Sequence, residues 1–227
     1  MIRVAIAGAG RMGKAIAAGI DAHDDLELVG TWGRGDDLDA LVRQADVVVD
    51  FSLPDGTMQV IDAVVAHTRP LVCGVSGLDD VQMARVDEAA ASIPGVYDRN
   101  MSLGIAVLAR SVREAAASLG MDFDVEIAEV HHVHKKDAPS GTALKLGEIV
   151  AAARGEQGTG SVRFQSERRG EVPGDHEVVM SSRTERLTFA HSVTTRQVFA
   201  DGALRAARWI VGQKPGRYAM SDVLFDE

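Results

Sequence analysis

Hydrophobic positions in the first hundred residues form short runs, separated by longer segments with helical periodicity. The apolar runs are rich in β-branched residues and predict buried strands at 4–7, 26–32, 47–51, 71–73 and 96–97. The segments between them predict helices at 11–22, 57–66 and 79–91. Strands that alternate with helices over short connections are typical of a doubly wound parallel sheet.

The pattern changes beyond residue 101. A helical segment at 105–118 is followed by Phe123, Val125 and Ile127 in alternation with acidic residues, which predicts a strand with one buried face. Further strands are predicted near 161–166, 176–181 and 185–194, and further helices at 143–153 and 201–211. The expected fold class is α/β: an N-terminal Rossmann-like doubly wound parallel sheet plus a smaller C-terminal mixed α+β sheet domain. The expected domains are 1–101 with 197–227, and 102–196.

Composition narrows the class of protein. Of the 227 residues, 46% are hydrophobic, yet no apolar run approaches the roughly 18 residues of a membrane span, so no membrane partner is expected. The first residues lack the pattern of a secretory signal. Cys73 is the only cysteine, which excludes disulfides within the chain and favours the cytoplasm. The net charge of −9 argues against nucleic acid as the main partner, because phosphate binding needs a concentrated basic surface.

A glycine turn follows the first predicted strand and opens the first predicted helix. It has the form G-x-G-x-x-G, in which the first glycine permits the turn, the second lets a pyrophosphate approach the backbone, and the third lets helix and strand pack closely. A turn without a ligand is the alternative, but this strand–turn–helix context favours dinucleotide binding. The candidate cofactor-binding residues are Gly8, Ala9, Gly10, Arg11, Met12 and Gly13.

The end of the second predicted strand bears on the choice of cofactor. An acidic residue there binds the ribose hydroxyls of NAD, whereas an arginine favours the 2′-phosphate of NADP. The chain has Arg34 between two glycines, followed by Asp36 and Asp37. Arg34 therefore predicts that NADPH is accepted. NADH stays open as well, because Asp36 or Asp37 can bend back, and Arg34 can also be an ordinary exposed loop charge.

The strongest chemical signal lies at residues 129–143, which read Glu-Val-His-His-Val-His-Lys-Lys-Asp-Ala-Pro-Ser-Gly-Thr-Ala. The histidines and lysines run into a proline and small hydroxyl residues, which is the pattern of a helix start. A helix N-terminus exposes backbone N–H groups and the positive end of the helix dipole, so it readily holds a carboxylate or phosphate. Proton donors beside an anion site predict an enzyme that acts on a small acidic substrate.

A metal site and a solvated surface loop are the alternatives for this cluster. His131 and His132 are adjacent on a predicted strand and therefore face opposite sides. No cysteine or suitably spaced carboxylate completes a tetrahedral set, so no metal is expected. His176 and His191 stand in strand patterns and are expected to be structural.

The chain resembles the 4-hydroxy-tetrahydrodipicolinate reductase (dihydrodipicolinate reductase) family over nearly its whole length. The resemblance rests on the glycine turn and on the segments 50–54, 74–77, 100–104, 129–143, 169–176 and 196–203. The block His131-His132-x-x-Lys135-x-Asp137-Ala138-Pro139-Ser140-Gly141-Thr142 is highly specific to that family. The family implies NAD(P)H-dependent reduction of 4-hydroxy-tetrahydrodipicolinate to tetrahydrodipicolinate with loss of water, in lysine and diaminopimelate biosynthesis.

The resemblance also implies roles for individual residues. His131 would be the proton donor and acceptor of catalysis and Lys135 a proton donor. The residues that would hold the substrate are His132, Gly141 and Thr142, with Ser140 added by its place at the helix start. The loops against the nicotinamide half of the cofactor would contain Gly74, Val75, Ser76, Asp98, Arg99, Asn100 and Met101. For Asn100, helix capping is the alternative.

The family further implies that 1–101 with 197–227 bind the dinucleotide, and that 102–196 bind a small dicarboxylate and build a homotetramer through the sheet. Three departures bear on the cofactor. The glycine turn is one residue shorter than the usual G-x-x-G-x-x-G, the ribose-binding acid is absent, and Val75-Ser76 stands where two threonines are common. NADPH, NADH or both are therefore expected.

Two other function classes remain open. Another dinucleotide-dependent dehydrogenase, acting on an amino or keto acid, would keep the glycine turn but has no reason to carry the block 131–142. A nicotinamide-sensing regulator would need a DNA-reading module, and none is evident in this acidic chain.

Overall fold

The computed structural model describes residues 1–225 and divides them into two compact units. The first contains 1–103 and the C-terminal segment from 196, and the second contains 104–195. Each unit has its own sheet. Assigning dinucleotide binding to the first and substrate binding to the second stays a prediction.

A parallel sheet forms the first unit. Its strands are β1 Ile2–Ala7, β2 Leu26–Trp32, β3 Val47–Asp50, β4 Leu71–Cys73, β5 Pro94–Tyr97 and β10 Gly216–Tyr218, in the order β10-β5-β4-β3-β1-β2. Its helices are α1 Arg11–Asp21, α2 Leu38–Gln44, α3 Pro54–Ala66, α4 Asp80–Ala90, α7 Gln197–Ile210 and α8 Met220–Phe225. Helix α1 packs on α7, while α3 packs on α2 and α4, so helices cover both faces of the sheet.

Continuous apolar runs form the central strands because both sheet faces are covered. Residues 4–7 of β1 and 47–50 of β3 are all buried. The predicted doubly wound parallel sheet is therefore confirmed. Strand β1 lies between β2 and β3, so the sheet extends from β1 to one side through β2 and to the other side through β3. A ligand crevice is expected at such a reversal of strand order. The glycine turn emerges there.

The second unit is built on a smaller mixed sheet. Its strands are β6 Asp124–His131, β7 Val162–Arg168, β8 Asp175–Ser181 and β9 Arg186–Ser192, in the order β7-β6-β8-β9. Only the β6–β7 pair is parallel. Helices α5 Leu103–Leu119 and α6 Gly141–Ala153 share a core with one sheet face, which contains Val112, Val125, Ile127, Leu146 and Met180. The predicted mixed sheet is also confirmed.

Several predicted element bounds were wrong. The helix α2 and the C-terminal β10 and α8 were missed because each is short, and α2 buries only Val42. Helix α7 begins at Gln197 rather than at 201, and α3 begins at Pro54 rather than at 57 because the proline occupies its first turn. Within residues 1–225, no helix combines the length and apolarity that crossing a bilayer requires.

Candidate active site

The first and third glycines of the turn are required by packing. Gly8 has a φ of +105°, and a Cβ there would lie 2.6 Å from the carbonyl oxygen of Phe51. A Cβ on Gly13 would lie 1.9 Å from the carbonyl oxygen of Gly8. Both positions therefore need glycine whether or not a ligand binds.

The second glycine has no such packing reason. Gly10 is the N-cap of α1, with an ordinary φ of −78°, and a Cβ built on it would meet no atom within 4 Å. Its missing side chain leaves the amide end of the helix open to an approaching group. No acidic residue occupies the first turn of α1. An open, unopposed helix N-terminus is what a pyrophosphate needs, so these residues fit the predicted dinucleotide.

Neighbouring loops meet the glycine turn at the carboxyl edge of the sheet. A Cβ on Gly74, after β4, would lie 2.3 Å from the ring of Phe51, and the Gly74 amide donates to Asp50 O at 2.9 Å. The Asp98 amide, after β5, donates to Cys73 O at 3.3 Å. The edge thus brings together the loops that contain the predicted cofactor residues 8–13, 74–76 and 98–101.

Some side chains in these loops have internal roles. Asp98 is 4% exposed and accepts hydrogen bonds from the amides of Asn100 at 3.2 Å and Met220 at 3.3 Å. Met101 is buried, and its carbonyl lies where a Cβ on Gly202 would clash. Asn100 accepts from the Ser102 amide at 2.9 Å, which closes a turn before α5 rather than capping that helix, whose first residue is Leu103. Cofactor contacts by Asp98, Arg99, Asn100 and Met101 stay predictions.

Asp36 folds back at the end of β2. Its Oδ2 accepts from the Gly33 amide at 2.8 Å, and its carbonyl accepts from the Trp32 indole at 3.2 Å. A Cβ on Gly33 would lie 3.5 Å from both Asp36 Oδ2 and the Ala9 Cβ of the glycine turn. The Asp36 carboxylate therefore lies close to where a side chain at position 33 would project, whereas Arg34 is exposed on the loop between them.

The second unit concentrates its chemistry at the end of β6. Glu129 and His131 are two residues apart and so share the buried face of the strand. Glu129 Oε2 lies 2.5 Å from Nδ1 of His131. The side chain of Glu129 is 0% exposed and that of His131 is 10% exposed. A buried carboxylate thus orients the imidazole whose proton-transfer role was predicted.

Arg168, at the end of β7, holds the other side of this carboxylate. Its Nη1 and Nη2 each donate to one Glu129 oxygen at 2.9 Å, which is the bidentate geometry of strong arginine–carboxylate pairs. The same guanidinium also donates to the carbonyls of Lys135 at 3.2 Å, Glu167 at 2.7 Å and Asp137. All five guanidinium N–H groups have acceptors.

Ser140 links the start of α6 to the same carboxylate. Its Oγ accepts from the Ala143 amide at 3.1 Å, as an N-cap does, and lies 3.1 Å from Nε2 of His176. Its amide donates to Glu129 Oε1 at 3.2 Å. This corrects one expectation from the sequence: the Ser140 N–H is directed to Glu129, so the proposed anion-binding amides narrow to those of Gly141 and Thr142.

Lys135 lies in the loop between β6 and α6. Its Nζ is 2.8 Å from Asp137 Oδ2, and the Lys135 side chain is 23% exposed. His132 follows β6, and its ring centroid lies 5.9 Å from that of the exposed His134. Among residues 1–225, no group of three or more His, Cys, Asp or Glu side chains is arranged to hold a metal ion.

The charges at this site follow from burial and pairing. Burial acts to raise the pKa of Glu129, but hydrogen bonds from Arg168 and His131 outweigh it and lower the pKa to about 2. Burial lowers the pKa of His131, and this outweighs the opposing effect of Glu129, whose charge Arg168 already offsets. Burial, reinforced by the neighbouring His131, lowers the pKa of His176 to about 3. At neutral pH the cluster therefore combines an ionised carboxylate and guanidinium with neutral imidazoles.

Gly174 keeps space beside the second nitrogen of His131. A Cβ at Gly174 would lie 2.9 Å from His131 Nε2, and its φ of +152° also favours glycine. With Nδ1–H donated to Glu129, neutral His131 presents a lone pair at Nε2. This nitrogen is therefore the one positioned to exchange a proton.

Sequence reasoning missed Glu129, Arg168 and the involvement of His176. A signal for Glu129 was present, because it occupies the same face of β6 as the buried residues Val125 and Ile127. An acidic residue on the apolar face of a strand needs a partner, and His131 is the next residue on that face. Arg168 gave no local signal, since it meets His131 only through the β6–β7 register.

A glycine turn at a parallel-sheet switch point, with a buried imidazole–carboxylate pair in a separate unit, defines the class as a nicotinamide-dinucleotide-dependent oxidoreductase. Two family models match: "Dihydrodipicolinate reductase, N-terminus" over residues 2–101 and "Dihydrodipicolinate reductase, C-terminus" over residues 104–224. The chain belongs to the dihydrodipicolinate reductase family.

Similar proteins agree with this assignment. The 4-hydroxy-tetrahydrodipicolinate reductase of Zymomonas mobilis subsp. mobilis is 41% identical over 96% of this chain and 95% of its own. That of Caulobacter vibrioides is 39% identical over 98% and 97% of the two chains. The dipicolinate-bound dihydrodipicolinate reductase from Paenisporosarcina sp. TG-14 superposes with a TM-score of 0.83 at 24% identity, covering 99% of this chain and 100% of that one. At that identity the likeness shows the fold.

Proposed function

We propose that this chain catalyses the NAD(P)H-dependent reduction of 4-hydroxy-tetrahydrodipicolinate to tetrahydrodipicolinate with loss of water, in lysine and diaminopimelate biosynthesis. The observation that carries the proposal is the Glu129–His131 pair, 2.5 Å apart and buried at the end of β6, where the Ser140 amide ties it to the start of α6. It supplies an oriented proton donor beside an anion site, in a family named for this reaction.

The substrate is a cyclic dicarboxylate, and the cationic surroundings suit it. Gly141 and Thr142 begin α6, where backbone amides and the helix dipole favour a carboxylate. His132 and the Lys135 ammonium supply charge-assisted hydrogen bonds to the second carboxylate. The pairing of Lys135 with Asp137 holds the ammonium in this loop until the substrate enters.

His131 delivers the proton through Nε2. It is neutral at rest, because burial lowers its pKa. A dianionic substrate bound beside it favours the imidazolium, since nearby negative charge raises the pKa of a histidine. His131 then donates from Nε2 while Glu129 stabilises Nδ1–H, and a positioned acid of this kind contributes roughly 10²- to 10⁴-fold in rate. The Lys135 ammonium serves as a second proton donor and as an electrostatic clamp on the substrate.

The glycine turn holds the dinucleotide. The amides after Gly10 would hold the pyrophosphate, and the loops at 74–76 and 98–101 would hold the nicotinamide half. When bound, the reduced nicotinamide supplies a hydride to the substrate. Arg34 would hold the 2′-phosphate of NADPH, while Asp36, folded back onto the Gly33 amide, would accept from the ribose hydroxyls of NADH. Both cofactors are therefore used.

Assembly and location complete the proposal. The chain forms a homotetramer through the second sheet, whose helix-free face bears the partly exposed side chains of Ala128, Val130 and Val179. The single buried cysteine suits the reducing cytoplasm. Analytical ultracentrifugation tests the assembly, with a tetramer expected and a monomer contradicting it.

Mixing the purified protein with NADPH or NADH and the condensation product of pyruvate and aspartate semialdehyde, then following absorbance near 340 nm, tests the reaction. Cofactor oxidation that requires this product is expected. Oxidation with an amino or keto acid instead would favour another dinucleotide-dependent dehydrogenase. Cofactor binding with no turnover on any of these compounds would favour a sensing role.

A further inference from the structure

Resting on the proposed function, we propose that Glu129 and Arg168 are positioning residues that fix the geometry of both proton donors, His131 and Lys135. Neither touches the reacting atoms in this proposal. Glu129 acts through the imidazole, and Arg168 acts through Glu129 and through the backbone of the loop that carries Lys135.

Glu129 sets which nitrogen of His131 exchanges the proton. Its Oε2 accepts from Nδ1, so the neutral ring has its lone pair on Nε2, the nitrogen facing the space beside Gly174. A second hydrogen bond, from the Ser140 amide to Oε1, ties the carboxylate to the start of α6. Glu129 thereby fixes the position of the imidazole relative to the amides of that helix that are proposed to bind the substrate.

Arg168 keeps the carboxylate ionised and fixed. A carboxyl group with 0% side-chain exposure would take up a proton if it had no cationic partner. The bidentate contact from Arg168 supplies that partner and fixes the plane of the carboxylate at the same time.

The same guanidinium shapes the donor loop. It donates to the carbonyls of Lys135 and Asp137, the two residues whose side chains pair with each other. An ammonium could neutralise Glu129, but its three donors on a single nitrogen cannot span two carboxylate oxygens and the loop carbonyls. The arrangement therefore requires arginine at position 168 rather than any cation.

Within the described residues 1–225, the charged or titratable groups that face His131 are Glu129 on its own strand, Arg168 on β7, His176 on β8 and Lys135 in the loop. Removing the carboxylate and removing the guanidinium should shift the His131 pKa in opposite directions. Without Glu129, the imidazolium loses its counter-ion and its pKa falls. Without Arg168, the imidazolium becomes the main counter-ion of Glu129 and its pKa rises.

The test compares Glu129→Gln, Arg168→Met and Arg168→Lys with Glu114→Gln as the control. Glu114 belongs to the same unit and also pairs with an arginine, Arg110 at 3.1 Å, but it lies on α5 with a side chain that is 63% exposed. Steady-state kinetics against pH, cofactor binding, assembled mass and the ¹⁵N spectrum of the His131 imidazole are measured for each full-length protein.

Glu129→Gln and Arg168→Met should each lower kcat by about 10- to 100-fold while the dissociation constant of NADPH stays unchanged. Because His131 donates a proton, activity is lost as pH rises through its pKa. The descending limb of the pH–activity profile should therefore move to lower pH in Glu129→Gln and to higher pH in Arg168→Met. Arg168→Lys should keep the position of the limb closer to wild type yet still lose turnover. The control should match wild type.

Two measurements separate positioning from a general structural role and from failure of the proposed reaction. In a His131→Ala background, Glu129→Gln should cause little further loss, because groups that act as a unit are not additive. The ¹⁵N spectrum needs no turnover: wild type should show His131 protonated at Nδ1, and Glu129→Gln should lose that preference. An unchanged tautomer and an unmoved pH limb in both variants, or a fully additive loss, would overturn the proposal.

Discussion

The two proposed sites differ in the groups that form them: backbone amides in one and side chains in the other. At the glycine turn, Gly8 and Gly13 avoid backbone clashes and Gly10 leaves open space, so the site is a surface of backbone amides. At the end of β6, Glu129 bonds to both His131 and Arg168, so the site is a set of interlocked side chains. The first site depends on glycines, which have no side chain, and the second depends on side chains that hydrogen-bond to one another.

This difference follows from what each ligand requires. A pyrophosphate carries diffuse charge that several amides share, so close approach matters more than any single group. Proton transfer depends on one nitrogen in one tautomer, and side-chain hydrogen bonds fix it. Substitutions in the first site should therefore affect binding or folding, and those in the second should affect turnover.

The largest expected effect comes from removing the proton donor. His131→Ala should lower kcat by roughly 10²- to 10⁴-fold, the usual contribution of a positioned acid. NADPH binding, followed by fluorescence titration, should stay at the wild-type value, because the turn lies in the other unit. Near wild-type turnover would remove His131 from the mechanism.

The glycines of the turn should separate folding from binding. Gly13→Ala should lower the free energy of unfolding by about 1–3 kcal/mol or more, because its Cβ would overlap the Gly8 carbonyl. Gly10→Ala should cost less than about 1 kcal/mol, the scale of an N-cap change, yet weaken cofactor binding at least tenfold. Urea unfolding and titration calorimetry measure the two effects. Tight binding by Gly10→Ala would contradict the proposed role of the open space.

Substitutions at Arg34 and Asp36 test which residue selects each cofactor. Arg34→Ala should raise the KM for NADPH several-fold more than the KM for NADH, because only NADPH has the 2′-phosphate. Asp36→Ala should weaken NADH more, because the ribose hydroxyls lose an acceptor. If either variant changed the KM for NADPH and the KM for NADH equally, the substituted residue would have no part in cofactor choice.

The last expected effect concerns stability in acid rather than binding or turnover. His176 has an unfolded pKa of about 6.5 and a folded pKa lowered to about 3 by burial. Between these values the unfolded chain binds a proton that the folded one does not, so the free energy of unfolding falls as pH drops from about 6.5 toward 3. His176→Gln should make this decline shallower, by at most about 1.4 kcal/mol per pH unit. Urea unfolding at fixed protomer concentration across this range checks the slope, and an unchanged slope would contradict it.

The fold could be predicted from local patterns to a large extent. Apolar runs such as 47–49 mark fully covered strands, and the alternation in β6 marks a half-buried one. Short elements escaped because α2 presents one buried residue and the β10 strand has only three. Their formation depends on packing that no local window contains.

The candidate site was predictable only where its residues are contiguous. The block 131–142 could be recognised, and so could the glycine turn. The pairing of Arg168 with Glu129 depends on strand register, and the return of Asp36 to the Gly33 amide depends on the turn geometry. The role of the Ser140 amide was misjudged because its acceptor lies 11 residues earlier, on β6.

A crystal structure with NADPH and pyridine-2,6-dicarboxylate tests the central claim most directly. We expect His131 Nε2 within about 2.6–3.2 Å of the bound dicarboxylate, with Nδ1 still on Glu129 and the nicotinamide ring against the same ligand. A dicarboxylate bound beside the nicotinamide with His131 turned away from it would contradict the account.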